Sequence, residues 1–239
     1  VNRILSALKL DFKLQYRYGF YYAAAFITAV WIAFLYALFR PYLSLALPFA
    51  IFIDLGVVGF FFIAGQIIFE KTERTIYALV LTPLSFKEYL ISKLITFTAM
   101  AWLISHIVVI ASYGWGFNSF LLSTGVILTS VLVLLVGVIA VAPYESISSF
   151  LVPSQLYFLV LYLPIVDYLG LLKSRFFYLI PTQGSLILLD AAFKGAGSLE
   201  LWQMLYAVVY LLFWIAALIR LAGIRFERFI VAGQKGGRV

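Results

Sequence analysis

The chain has no cysteine, one histidine and few charges, and each shortage removes a class of function. Without cysteine there are no disulfide staples and no thiolate metal site. The lone His106 cannot build a histidine metal centre. Only 11% of residues are charged, against about 25% in soluble domains, which excludes an ordinary soluble globule. No G-x-x-x-x-G-K-[ST] loop is present. The GQKGGR run at 233–238 does not replace it, because its lysine follows the first glycine too closely and no Ser or Thr follows. No group of convergent catalytic side chains stands out, so the chain reads as a non-enzyme. Strictly alternating polar and apolar residues, the mark of a membrane barrel, are also missing.

What is there is continuous apolar sequence. Hydrophobic residues make up 65% and mean hydropathy is +1.08. Six runs stand out: Phe20–Phe39, Leu47–Phe69, Tyr89–Ser112, Phe120–Ala142, Leu151–Leu172 and Leu201–Leu221. Each is long enough as a helix to cross a hydrocarbon core of about 30 Å. The fold class is therefore an all-α integral membrane protein, a single six-span domain over 1–239. The charge bias sets an orientation. With both termini in the cytosol, only Arg40, Lys173, Arg175 and Lys194 face outward. Every other Lys and Arg sits near inner span ends, which places the chain in a cytoplasmic (inner) membrane. The net charge of +7 is accounted for by this topology and by anionic lipid, without nucleic acid.

Three pieces are not spans. Residues 1–19 read as an amphipathic interfacial helix rather than a cleavable leader: Leu5, Leu8, Phe12 and Tyr16 form its apolar stripe, and Asn2, Ser6, Lys9, Lys13 and Arg17 its polar one. The apolar run 176–193, broken by Pro181, Gln183 and Gly184, predicts a re-entrant or interfacial segment before the last span. Residues 223–239 read as a frayed basic tail.

Charge is concentrated between the second and third runs, where Glu70, Lys71, Glu73, Arg74, Lys87 and Glu88 fall within twenty residues. Glu70 and Arg74 are spaced for an i,i+4 pair, and Ile76, Leu79 and Val80 share a face, predicting a short amphipathic helix over 70–81. Thr82-Pro83 should end it. Ser85 and Glu88 fit a capping box that starts the third span, with Leu84 and Tyr89 as a staple. On the residues alone, this loop either docks a partner or simply joins two spans.

The segment ERTIYALVLTPLSFKEYLISKL, Glu73 to Leu94, resembles the signature of the type-two ABC exporter permeases. The matching positions are Glu73, Thr75, Leu79, Val80, Thr82, Pro83, Leu84, Ser85 and Lys93. Arg74 stands where many members carry glycine. The runs RYGFYY (Arg17 to Tyr22) and YLIPTQ (Tyr178 to Gln183) are similar to a subgroup labelled fluoroquinolone or drug export permeases. The resemblance implies a membrane subunit that pairs with a second permease copy or paralogue. Two copies of a separate ABC ATPase would bind ATP and magnesium, and this chain would bind no cofactor. It also implies that Glu70, Glu73, Arg74, Ile76, Leu79 and Val80 form the coupling helix seated on that ATPase.

A substrate path lined by the second and fifth spans is implied as well. Phe61, Phe62, Gln66, Tyr157, Phe158 and Tyr162 are then candidates for touching a hydrophobic or amphipathic substrate, though each also suits plain helix packing. Ionisable groups inside a membrane are costly and point to function. Asp54 and His106 lie at similar depth, so they either pair or each face a watery vestibule alone. Asp167, near Lys173 and Arg175, reads as an interfacial anchor. The stripe Trp202, Tyr206, Tyr210, Phe213 and Trp214 reads as lipid-facing. Two other classes compete with the exporter: a non-transporting structural or sensory subunit that docks a cytosolic partner, and an ion-coupled secondary carrier.

Overall fold

The computed structural model describes residues 3–76, 85–195, 197 and 199–231. Among these residues, six helical segments are long and apolar enough to cross a membrane. They are span 1 (Phe20–Ala37), span 2 (Arg40–Thr72), span 3 (Phe86–Tyr113), span 4 (Ser119–Val141), span 5 (Ile147–Tyr168) and span 6 (Leu201–Phe229). Two further helices flank them: an N-terminal helix (Arg3–Arg17) and a short inserted helix (Thr182–Lys194).

Span 4 is the axis of the bundle. It packs on spans 2, 3 and 6 and on the inserted helix, and Leu132, Leu135, Ala140 and Val141 are fully buried. The close approach of span 2 requires Gly137, because a Cβ there would lie 2.7 Å from Ile63 Cγ2 and 3.2 Å from the Phe60 carbonyl. Small residues at such crossings let two backbones approach in lipid. Spans 1 and 5 lie at the periphery and expose large apolar side chains, among them Phe26, Tyr36, Val152 and Leu156.

Local chemistry fixes the helix starts. Ser85 and Glu88 form the capping box of span 3: the Glu88 amide donates to Ser85 Oγ at 3.3 Å, and the Ser85 amide donates to Glu88 at 2.7 Å. Asn118 Oδ1 accepts from the Phe120 and Leu121 amides to begin span 4. The apolar run before span 6 folds as a 3-10 turn, Arg175–Leu179, followed by the inserted helix. That helix is buried against spans 2, 4 and 6, with Asp167 accepting from Gln183 at 2.8 Å. Asp167 thus fastens the inserted helix to the end of span 5.

Three expectations change. The frayed tail does not start at Gly223: span 6 stays helical there, and Phe226 packs on Phe86 and Tyr89 at 4.5 and 5.5 Å. The stripe on span 6 is not purely lipid-facing. The Tyr206 and Tyr210 hydroxyls donate to the carbonyls of Tyr178 and Leu179, each at 2.7 Å, and so staple the 3-10 turn to the span. Last, the N-terminal helix buries Ala7, Asp11, Leu14 and Gln15 against span 3, while Leu5, Phe12 and Tyr16 are exposed. Its inward face is neither expected stripe but a mixed one, in which Asp11 and Gln15 meet polar partners while Ser6, Lys9, Lys13 and Arg17 stay exposed.

Candidate functional site

Span 2 carries both candidate regions, one at its bend and one around its middle. It begins with a 3-10 turn, runs helically over Leu43–Asp54, passes through a π-helical turn, Leu55–Gly59, and resumes as an α-helix to Thr72. Glu73 closes the helix. Arg74 then turns in the left-handed region with φ of 57°, a conformation that strains a non-glycine residue. This is the position at which many members of the resembled family carry glycine. The expected helix 70–81 is therefore corrected over its first part: residues to Thr72 continue span 2, and the chain breaks at Glu73–Arg74. Leu79, Val80, Thr82, Pro83 and Leu84 lie outside the described residues.

Glu70 does not pair with Arg74. It is fully buried and belongs to a polar cluster shared by three helices. Lys93 of span 3 lies between two carboxylates, 2.7 Å from Asp11 of the N-terminal helix and 2.5 Å from Glu70 of span 2. Gln66 Nε2 donates to both acids, at 2.8 and 2.9 Å. The Tyr89 hydroxyl donates to Glu70 at 2.7 Å, and Ser92 donates to Asp11. Gln15 extends the network, donating to Thr96 at 2.7 Å and accepting from Tyr21 at 3.0 Å. Buried charge survives only when paired and hydrogen-bonded, and here one ammonium and a ring of donors serve two acids.

Two further ties hold the bend. Lys71 is buried, and its ammonium donates to the carbonyls of Ala142 and Tyr144 at 2.7 and 2.8 Å. A cation there satisfies the free carbonyls and the negative dipole end of span 4. Glu73 accepts from Arg17 at 3.1 Å and from the Tyr18 hydroxyl at 3.0 Å. Burial, together with the neighbouring Glu73 carboxylate, pushes the Tyr18 phenol well up, which keeps it a donor. Of the six docking candidates, Glu70 and Ile76 face inward and are fully buried. Glu73 and Arg74 lie on the surface.

Around the middle of span 2, just past the π turn, part of the expected aromatic face assembles. Phe61 and Phe158 lie 5.2 Å apart, Phe60 and Tyr157 6.3 Å, and Phe158 stacks on Tyr162 at 5.5 Å. The Tyr162 hydroxyl donates to the Ile53 carbonyl at 3.2 Å. It occupies the space that a Cβ at Gly56 would need, only 2.1 Å away. The π turn disturbs the i→i−4 ladder, and Tyr162 supplies a donor to a carbonyl beside it.

The remaining path candidates go elsewhere. Phe62 packs on Phe20 and Phe97 at 5.0 and 6.4 Å, on the side of spans 1 and 3. Gln66, one helical turn further along that stripe, joins the buried cluster. Asp54 and His106 do not pair. Asp54 accepts from the Trp31 indole of span 1 at 3.0 Å. His106 Nδ1 donates to the Trp102 carbonyl at 2.9 Å, a bond that fixes the tautomer because a carbonyl only accepts. His106 Nε2 then faces Ser119 and Ser123 at 3.4 and 3.3 Å. Each group is thus served by a neighbour on a different side of the bundle.

Sequence reasoning passed over Asp11, Gln15, Lys71 and Lys93 as structural members of the site. A signal was present: Gln66 and Glu70 are a polar pair at i,i+4 on a span otherwise apolar, and Asp11 and Gln15 make the same spacing on the N-terminal helix.

Residues 2–234 match the model of the fluoroquinolones export permease protein family. Two Mycobacterium tuberculosis proteins, from strains CDC 1551 and H37Rv, are each named a fluoroquinolones export permease protein. Each is 38% identical to this chain over 238 residues, covering 99% of both sequences. No solved structure matches. With a match across nearly the whole chain and six apolar helices to carry it, this protein belongs to the fluoroquinolones export permease protein family.

Proposed function

We propose that the chain is the membrane half of an ATP-driven exporter for a hydrophobic or amphipathic, aromatic substrate of the fluoroquinolone kind. A separate ATPase subunit, in two copies, docks at the Glu73–Arg74 bend and supplies ATP and magnesium chemistry. A second permease copy or paralogue completes the path, in a cytoplasmic membrane with both termini in the cytosol.

The observation that carries this reading is the way the bend is tied inward. Force applied at Glu73–Arg74 meets Glu70 and Lys71 within one turn. Glu70 is bonded through Lys93 to span 3 and the N-terminal helix, and Lys71 is bonded to the end of span 4. A rigid displacement of the bend would therefore move several spans together, as a rocking transporter half requires. The names of the Mycobacterium tuberculosis relatives support the substrate class.

The test is Arg74→Glu in the reconstituted complex with its ATPase. Substrate-stimulated ATP hydrolysis should fall at least tenfold while the permease keeps its thermal stability. Stimulation at the wild-type level would remove the bend as the docking site.

A further inference from the structure

A cavity of about 520 Å³ lies between spans 4, 5 and 6. Its volume falls in the range of small-molecule sites, about 300–1,000 Å³. Leu132 and Val136 form the span 4 wall, Tyr157 the span 5 wall, and Trp214 and Leu218 the span 6 wall, with Pro181 closing one end. The rim residues Leu156 and Val160 are exposed, so the cavity is reached from the lipid side.

Trp214 carries the decisive anomaly. Its indole nitrogen is buried and has no acceptor. A buried Trp N–H usually finds a partner, and an orphan calls for an explanation. An acyl chain would fill the space and leave that N–H orphaned. A flat aromatic molecule bearing a carbonyl or carboxylate would stack against Tyr157 and Trp214 and also supply the missing acceptor.

We infer that this cleft binds a flat aromatic molecule entering from the bilayer, with the Trp214 indole N–H donating to its carbonyl or carboxylate. The inference rests on the export reading for its substrate class, and its test does not involve the ATPase.

The experiment measures equilibrium binding of radiolabelled ciprofloxacin to the purified full chain in nanodiscs of phosphatidylethanolamine and phosphatidylglycerol. Wild type should bind saturably. Trp214→Phe keeps the ring and removes the donor, and should raise Kd about tenfold, the worth of one lost hydrogen bond. Val136→Trp fills the cleft and should abolish saturable binding. Leu159→Trp, on the exposed face of span 5, should bind like wild type. Trp214→Phe guards the result if Val136→Trp fails to fold. Wild-type affinity in both cleft variants overturns the inference, as does absence of saturable binding in the wild type. Loss of a co-purified phospholipid from Val136→Trp with drug affinity unchanged also overturns it, since the occupant is then lipid. None of these failures touches the docking reading, which Arg74→Glu tests separately.

Discussion

The bend and the middle of span 2 are secured by opposite means. At the bend, Glu70 and Lys71 are buried charges held by an ammonium, a glutamine, a tyrosine hydroxyl and the carbonyls at the end of span 4. At mid-span, around the π turn, rings of Phe60, Phe61, Phe158 and Tyr162 pack on one another, and a single phenol serves the backbone. Ionic clusters in low dielectric fail abruptly when one member is lost, because the others are left uncompensated. Aromatic packing yields by degrees, since dispersion is spread over many weak contacts. The bend is thus built to move as one piece, and the aromatic face to adjust.

Removing one ammonium should break that contrast most sharply. Lys93→Met leaves Asp11 and Glu70 buried without a cation and should cost about 3–5 kcal/mol in thermal unfolding. Adding Asp11→Asn and Glu70→Gln to that variant should restore most of the loss. A Lys93→Met protein of wild-type stability would show that the cluster is not the clamp. On the aromatic side, Tyr162→Phe keeps the stack and leaves the Ile53 carbonyl unserved, a loss of about 1–3 kcal/mol; a larger drop would mean the two regions are equally brittle.

Smaller effects sharpen the comparison. Arg74→Gly relieves the left-handed strain and should stabilise the fold by about 1 kcal/mol, yet it removes the guanidinium, so substrate-stimulated ATP hydrolysis should still fall. Strain and docking are separated by that one variant. The exposed Arg17–Glu73 pair should contribute only about 0.2–1 kcal/mol in a double-mutant cycle.

Much of this was readable from the chain. Continuous apolar runs give the spans, because a backbone in lipid must satisfy itself helically. The Ser85–Glu88 spacing gives the start of span 3, because the capping box is local chemistry. The apolar run broken at Pro181 gives the inserted helix. The buried cluster was hidden because its members are far apart in sequence. Asp11 and Lys93 look like a surface acid and an inner-leaflet base until the N-terminal helix is set against span 3. Leu5, Phe12 and Tyr16 formed the obvious stripe, and it faces outward. Gln66 and Phe62 were path candidates beside Phe61 because the resemblance assigns the path to the second span as a whole, and Phe61 and Phe62 are adjacent in sequence. Those neighbours are about 100° apart on a helix, and only Phe61 faces span 5.

The π turn at Leu55–Gly59 has a consequence for sequence change. A helix that stores one surplus residue can also discard it. Deleting Gly56 would let the strand of hydrogen bonds heal into ordinary α geometry, but everything upstream would swivel by about 100° relative to the bend. Asp54 would leave Trp31, and Tyr162 would meet a different surface. Insertions and deletions there would act as a dial on the Asp54 half of the span, while Phe60, Phe61 and the charged anchor beyond them stayed in register.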